Sequence, residues 1–192
     1  VVAGLIYGSM TAASIRDYAR EDASQLAETL GVTLADAILL ENQGALRARG
    51  DAAQAVISAM GSPAESQGVS RARAQREAVE FLAVQRIGET GYFFVVEPDG
   101  DVVYHPFEEI ARANQSQTPI VRRILEQEQG FVRYYWQNPG EERPRDKLGY
   151  ITVHEPWQWY IVATDYAGGF LDRLPASTLQ SLLNGYQQES VL

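Results

Sequence analysis

Apolar positions from Ser9 to about Gln43 recur at helical spacing: Ile15, Ala19, Ala23, Leu26, Leu30, Leu34, Ala37 and Leu40, with Arg16, Arg20, Glu21, Asp22 and Glu28 between them. No proline interrupts the pattern, so it predicts a rod of roughly 35 residues and about 50 Å. A helix that long normally lies against something else along its length. Asp51 to Met60 predicts a second, short helix, and the Gly, Ser and Pro of "GSPAESQG" predict a loop after it. A third helix is expected from about Ser70, its N-cap, through "RARAQREAVEFLAVQR" to Arg86, with Ala74, Ala78, Phe81, Leu82 and Gln85 along one face.

At Gly91 the period changes to two. "YFFVVE" and "DVVYH" are rich in aromatic and β-branched residues, and the "EPDGD" between them supplies Pro to preset φ, Asp to bond its own backbone and Gly to accept positive φ. A β-hairpin follows from that chemistry. Next come a polar helix over Pro119 to Gln129 with Pro in its first turn, then "FVRYYW", the turn "QNPGEERPRD", the strand "KLGYITVH", a break at "EPW" and the strand "WYIVATDY". A closing helix is expected from about Gly169, with a kink at Pro175. Strands joined by hairpins build an antiparallel sheet, so the fold class is α+β. Tyr92, Phe94 and Val96 point one way while Phe93 and Val95 point the other, and a sheet apolar on both faces must be covered on both. The long helix suits one face. The segment from Phe107 to Gln129 suits the other and leaves a pocket beneath it.

Length and charge narrow the function. A chain of 192 residues with 45% hydrophobic and 21% charged residues is expected to form one water-folding domain. Its net charge of -9 argues against a nucleic-acid partner, since such binding draws on Lys and Arg against phosphates. With no Cys, disulfides, thiolate metal sites and a cysteine nucleophile are excluded. No phosphate-binding glycine motif or paired acid and base is present, and two histidines far apart give no support to a metal, so the chain is expected to be no enzyme and to need no cofactor. The opening "VVAGLIYGSM" is too short to span a bilayer; on its own it fits the trailing edge of a membrane helix as well as an ordinary helix start.

Few side chains offer binding chemistry. His105 ends a strand before a proline that cannot continue the ladder, so its ring either caps the strand and bonds the loop or turns into the pocket; charged, it would hold an anion more strongly at lower pH. Lys147 is the one lysine beside fifteen arginines, either a solvated turn residue or a selected cation. Arg86 and Arg133 are the other candidate cations, because a guanidinium can fork a carboxylate. Tyr92, Tyr134, Trp136 and Tyr150 can wall a pocket and donate from hydroxyl or indole, or serve only as core. Trp157 and Trp159 are assigned to packing and His154 to a turn.

Five pieces in order, "RAQREAVEFLAVQRIGETGYFFVVEPDGDVVYHP", "GFVRYYWQNPG" and "KLGYITVHEPWQWYIVATDY" among them carrying a Gly-Tyr-Phe-Phe-Val strand, a His-Pro hairpin end, a Tyr-x-Trp strand, a Lys-x-x-Tyr strand and a Trp-rich closing strand, resemble the single Cache domains, PAS-like extracellular sensor modules of bacterial receptors. The match covers about Arg71 to Tyr166. It implies a PAS-like sheet of about five strands with the long helix on one face and a helical and loop lid over a ligand pocket on the other. As one domain, the chain would comprise the long helix to about residue 45, a helical and loop segment over 46–90, the sheet with its lid over 91–166, and a C-terminal helix toward the membrane over 167–192. The ligand implied is a small carboxylate such as acetate, propionate, pyruvate or lactate, held by His105, Lys147 and Arg86, an arginine common there in relatives, with Tyr92, Tyr134, Trp136 and Tyr150 around it. The lid segment "FEEIARANQSQTP" lacks the glycine and Asp-rich run that relatives usually carry. The partners implied are the receptor's own transmembrane helices and a cytoplasmic output domain of chemoreceptor, histidine kinase or diguanylate cyclase type, and a second copy along the N-terminal helix. The location implied is the periplasm or cell exterior, with "VVAGLIYG" as the membrane-proximal start. The alternative is a structural or protein-interaction module of the same fold with no small-molecule ligand.

Overall fold

The structure, a computed structural model, describes residues 12–66, 70–111 and 114–168. The expected membrane-proximal start and the closing helix from Gly169 lie outside the described residues. The chain divides into two units, residues 1–37 with 173–192 and residues 38–172. In the first unit the described residues are the N-terminal part of helix α1 (Ala12–Ser66), whose described side chains before Ile38 are exposed or half-buried.

The second unit holds the rest: α2 (Arg71–Val84), β1 (Tyr92–Val96), β2 (Val102–Tyr104), α3 (Glu108–Ala111), α4 (Pro119–Gln127), β3 (Gly130–Trp136), β4 (Arg145–His154), a 3₁₀ turn (Glu155–Trp157) and β5 (Trp159–Tyr166). The five strands form one antiparallel sheet in the order β2-β1-β5-β4-β3. The expected α+β class with a five-stranded sheet is what the structure has.

α1 is the main departure from the sequence reading. It is a single helix of 55 residues, where a helix to Gln43, a second over Asp51–Met60 and a loop over "GSPAESQG" were expected. Gly50, between the two expected helices, is a site of close approach, whereas Gly44 has open space beside it. A Cβ on Gly50 would stand 2.6 Å from Cδ1 of Tyr150, so only glycine lets the helix lie this near β4. Leu46, Ala53 and Ile57 bury themselves against the sheet. Asn42 donates to the Tyr166 and Ala167 carbonyls, and Gln54 to that of Val153. These contacts outweigh a cost of about 1 kcal/mol per interior glycine and carry the helix through Gly61 and into Pro63. α2 stops at Val84, two residues short of the expected Arg86, and Ser70 occupies its N-cap without a side-chain cap bond.

Each face of the sheet has its own core. On one, Phe93, Val95, Leu148, Tyr150, Trp159, Ile161 and Ala163 meet α1 and α2 through Leu46, Ile57, Ala74, Ala78 and Leu82. On the other, Phe94, Val96, Val132, Tyr134, Ile151 and Val162 meet Ile120, Val121 and Ile124 of α4. Period-two alternation along each strand produces this division.

The hairpin turn works as its sequence predicts and does one thing more. Asp101 N–H bonds the Asp99 carboxylate at 3.0 Å, and Gly100 takes φ +87°. The same turn then clasps the lid: Gln115 N–H donates to the Gly100 carbonyl at 2.9 Å, and Asn114 Nδ2 donates to the Asp99 carbonyl at 3.2 Å and the Asp101 carboxylate at 2.6 Å. A Cβ on Gly100 would lie 2.5 Å from Cα of Ser116. Gly100→Ala therefore meets both a left-handed φ and a backbone clash, and a loss of about 2 kcal/mol or more is expected. A thermal melt checks it: the midpoint should fall by roughly 4–8 °C, and an unchanged midpoint would show that the clasp is not formed.

Candidate functional site

Lys147 lies near the start of β4, directly opposite Tyr134 of β3 on one side and Tyr166 of β5 on the other. It shares the α4-covered face with Gly149 and Ile151. Its side chain has no exposed surface. Nζ donates to the Tyr92 hydroxyl at 2.8 Å and to Asn138 Oδ1 at 3.2 Å, and it stands 4.3 Å from the Tyr92 ring centre and 5.1 Å from that of Tyr166. The aromatic faces attract the cation, and two neutral acceptors solvate it. Burial lowers its pKa to about 8, although Glu141 and Asp165 pull the other way. At neutral pH it is charged.

The donor directions around it follow from the ammonium. Lys147 can only donate, so the Asn138 atom facing it is the oxygen, and the Tyr92 hydroxyl, having accepted from Nζ, donates to the same Oδ1 at 2.9 Å. Asn138 Nδ2 then donates to the Tyr166 hydroxyl at 3.1 Å, and Tyr166 donates to Glu141. Glu141 also accepts the Asn138 N–H at 2.8 Å. Beside this chain, Thr164 donates to the Leu148 carbonyl, so the Tyr134 hydroxyl donates to Thr164 at 2.8 Å and keeps only acceptor capacity. Burial, reinforced by nearby negative charge, raises the Tyr92 phenol well above its ordinary range.

His105 follows β2 and is 8% exposed, edge-on to Tyr92 with ring centres 5.1 Å apart. Its Nδ1 accepts the Phe107 N–H at 3.1 Å, so it bonds the loop, and its ring also lines a cavity. With Nδ1 occupied, the neutral ring carries its proton on Nε2 and can only donate to a ligand. Burial first, then the Lys147 charge, push its pKa down to about 4. The charged form expected to strengthen binding at mildly acid pH is therefore not the one present there.

The cavity, about 30 Å³, lies between the sheet and the lid. Phe94, Val96 and Val102 form its sheet wall and Ile110, Gln115, Ile120 and Val121 its lid wall, with His105, Tyr134 and Trp136 at the edge. It has room for about one or two waters. The Trp136 indole N–H is buried and makes no hydrogen bond, so it is a donor waiting for an acceptor.

His105, Lys147, Tyr92, Tyr134 and Trp136 thus share one face and one neighbourhood. Tyr150 does not join them: it faces α1, donating to Asp51 at 3.1 Å and stacking on Phe131. Arg86 stands exposed beyond the end of α2, its charge felt at Tyr104. Arg133 is on the exposed face of β3 in an ion pair with Asp146 at 2.5 Å. Trp157 and Trp159 pack against each other on the α1 face, and His154, expected in a turn, is the buried last residue of β4, with its ring against Trp157. Among the described residues no cluster suits a metal ion. The residues the sequence reading missed are Asn138, Tyr166, Thr164 and Glu141. Tyr166 and Thr164 were within reach of it, since strand alternation puts them on the Lys147 face; Asn138 and Glu141 sit in a turn whose path no periodicity reveals.

Residues 20–185 match the family described as the Cache domain. The chain belongs to that family. Among solved structures, the Cache domain resembles a periplasmic sensor domain of a chemotaxis protein, with a TM-score of 0.60 and 29% identity over 67% of this chain and 96% of that one. It is 25% identical over 104 residues to the methyl-accepting chemotaxis protein McpP of Pseudomonas putida, covering 48% of this chain and 19% of that protein. To the sensor histidine kinase MctS of Rhizobium johnstonii it is 22% identical over 115 residues, covering 55% of this chain and 25% of that one. The match therefore spans a quarter or less of the length of these curated relatives.

The geometry sets a pH dependence. His105 protonates at about 6.5 when unfolded but only near 4 when folded, so between these values the unfolded chain binds a proton that the native chain does not. Stability from this group is complete above pH 6.5 and falls as the pH drops toward 4, by roughly 3 kcal/mol over the interval. His105→Asn titrates in neither state. The difference in urea unfolding free energy between wild type and His105→Asn should shift in favour of the variant from pH 7 to pH 4; a difference constant across that range would show that the folded ring titrates normally.

Proposed function

We propose that this Cache domain is the ligand-binding sensor module of a bacterial transmembrane receptor, placed outside the cytoplasmic membrane, and that its ligand is a small organic acid such as acetate, propionate, pyruvate or lactate. The observation that carries this reading is the Lys147 ammonium: fully buried, charged at neutral pH, and hydrogen-bonded to a phenol and an amide in place of a carboxylate. A buried charge without its counter-ion is costly, and a ligand carboxylate would relieve that cost. His105 Nε2 and the Trp136 indole supply further donors, and the aliphatic lining suits a short carbon chain. Arg86 and Tyr150, placed elsewhere, have no part in the site proposed.

The receptor setting is supported by the named relatives, a chemotaxis protein and a sensor kinase, and the location by a relative described as periplasmic. Its domain type is that of a sensor, so the work is a shift of populations between arrangements and not a reaction. The cavity is smaller than any of these acids, so binding would move the lid residues Ile110, Ile120 and Val121 away from Phe94 and Val96. The long helix would carry the change, and its exposed Leu26, Leu30, Leu34 and Leu40 would offer a seam to a second copy.

Affinity is bounded by ligand size. At a ceiling of about 1.5 kcal/mol per heavy atom, acetate reaches roughly 6 kcal/mol, or tens of micromolar, and a six-atom keto acid can reach sub-micromolar. A thermal-shift screen of these acids tests the reading: at a hundredfold over its dissociation constant, a specific acid should add about 2.7 kcal/mol of stability. Lys147→Met and His105→Ala should each remove most of that shift while still melting cooperatively. Absence of a shift with every acid would instead favour a module that only associates with other proteins.

A further inference from the structure

Lys147 is surrounded by groups from every neighbouring element: Tyr92 from β1, His105 beyond β2, Tyr134 from β3, Arg145 from its own strand, Tyr166 and Asp165 from β5, and Asn138 and Glu141 from the turn joining β3 to β4. The one among them that touches both ends of the network is Asn138. Its side chain is 6% exposed, its Oδ1 accepts from both Lys147 and Tyr92, its Nδ2 donates to Tyr166, and its backbone N–H donates to Glu141.

We infer that Asn138 is the positioning residue of the ligand site: its amide fixes the Lys147 ammonium in place and, being neutral, leaves the ammonium charge uncancelled for an incoming carboxylate. This rests on the proposed role of Lys147 as the ligand's cation. The argument is one of distance and of charge. An Oδ1 at 3.2 Å accepts from Nζ where a carboxylate oxygen could, but without the opposite charge that would complete an ion pair and bind the ammonium more tightly. The carboxylate nearby, Glu141, is kept one side chain further off: Asn138 and Tyr166 hold its two oxygens, and Arg145 lies 3.9 Å from it. Asn138 is thus both tether and spacer. An Asp at this position would give the ammonium an opposite charge and hold it in its charged form without any ligand, which Asn does not do.

Lys147 is the only lysine in the chain, so protein labelled with ¹³Cε-lysine gives a single side-chain signal whose pH titration reports this ammonium directly. Asn138→Asp places a carboxylate beside Nζ, and the titration midpoint should rise by one unit or more from about 8. Asn138→Ala removes an acceptor and adds no charge, so the midpoint should fall. Opposite movements of one signal are the mark of direct contact; loosening of the fold would not produce them. Isothermal titration at pH 7 with propionate, or with whichever acid gives the larger thermal shift, should show at least a tenfold loss of affinity in Asn138→Asp. An unmoved Lys147 midpoint in both variants overturns the assignment, as does full affinity in Asn138→Asp. Should the wild type bind no acid, the ligand reading fails while the lysine titration still decides whether Asn138 sets the state of Lys147; should Asn138→Asp not fold, the direction of the Asn138→Ala shift decides it.

Discussion

An ammonium with no exposed surface must be solvated by the protein around it, and most of the arrangement on one face of the sheet follows from that need at Lys147. The register places Tyr134 and Tyr166 on either side of it, so two large side chains exclude water and one of them, with Tyr92, offers a ring face. Because the cation can only donate, it fixes the proton positions outward through Tyr92, Asn138 and Tyr166 to Glu141. A single charge thus orders side chains from β1, β5 and the turn between β3 and β4, and the polar chain ends on a carboxylate that is already occupied. Chains of this kind polarise one another, so loss of one member is felt at the far end.

Among the described residues the opposite face buries no cation, although the Tyr150 hydroxyl donates to Asp51 and the Trp159 indole to Glu97 there. There Trp159, Phe93, Ile161 and Ala163 meet α1 and α2 in an apolar layer, and its close approach depends on Gly50 fitting under Tyr150. A sheet rigid on that side gives the other a fixed floor: Phe94, Val96 and Val162 cannot recede when something enters above them.

Strand alternation made much of this legible from the residues. Positions two apart share a face, so Tyr134 with Trp136 and Tyr92 with Phe94 belong together, as the structure has them. The same rule separates Lys147 from Tyr150, three apart in a strand, and assigns Tyr150 to the helix side. Grouping them as one site followed a family motif against the arithmetic of the strand. The hairpin was legible because Pro, Asp and Gly each carry a local reason for the turn. The continuity of α1 was not, because it comes from Leu46, Ala53 and Ile57 meeting strands far away in sequence. Asn138 was hidden for a related reason: a residue in "QNPG" has turn chemistry on its face, and only the return of the chain to β4 brings its amide to Lys147. Arg86 was grouped with the other cations on the motif, whereas the helix ends two residues earlier than its pattern suggested and leaves it exposed.

The size of the cavity ties the proposed ligand to the lid. A pocket of about 30 Å³ admits an acid only if Ile120 and Val121 give up contact with Phe94 and Val96, and re-exposing even one such side chain costs about 1.5–3 kcal/mol. The clasp of Asn114 and Gln115 on the hairpin turn holds one end of the lid, and Ile124 buries the middle of α4, so the whole segment cannot lift freely. For acetate, with a ceiling of roughly 6 kcal/mol, such a cost removes a large share of the available binding energy. Two more heavy atoms raise the ceiling by about 3 kcal/mol, close to the cost of opening. On the proposed reading, a closed lid would therefore favour the larger of the short acids, and the energy of opening it would be what binding redistributes between arrangements.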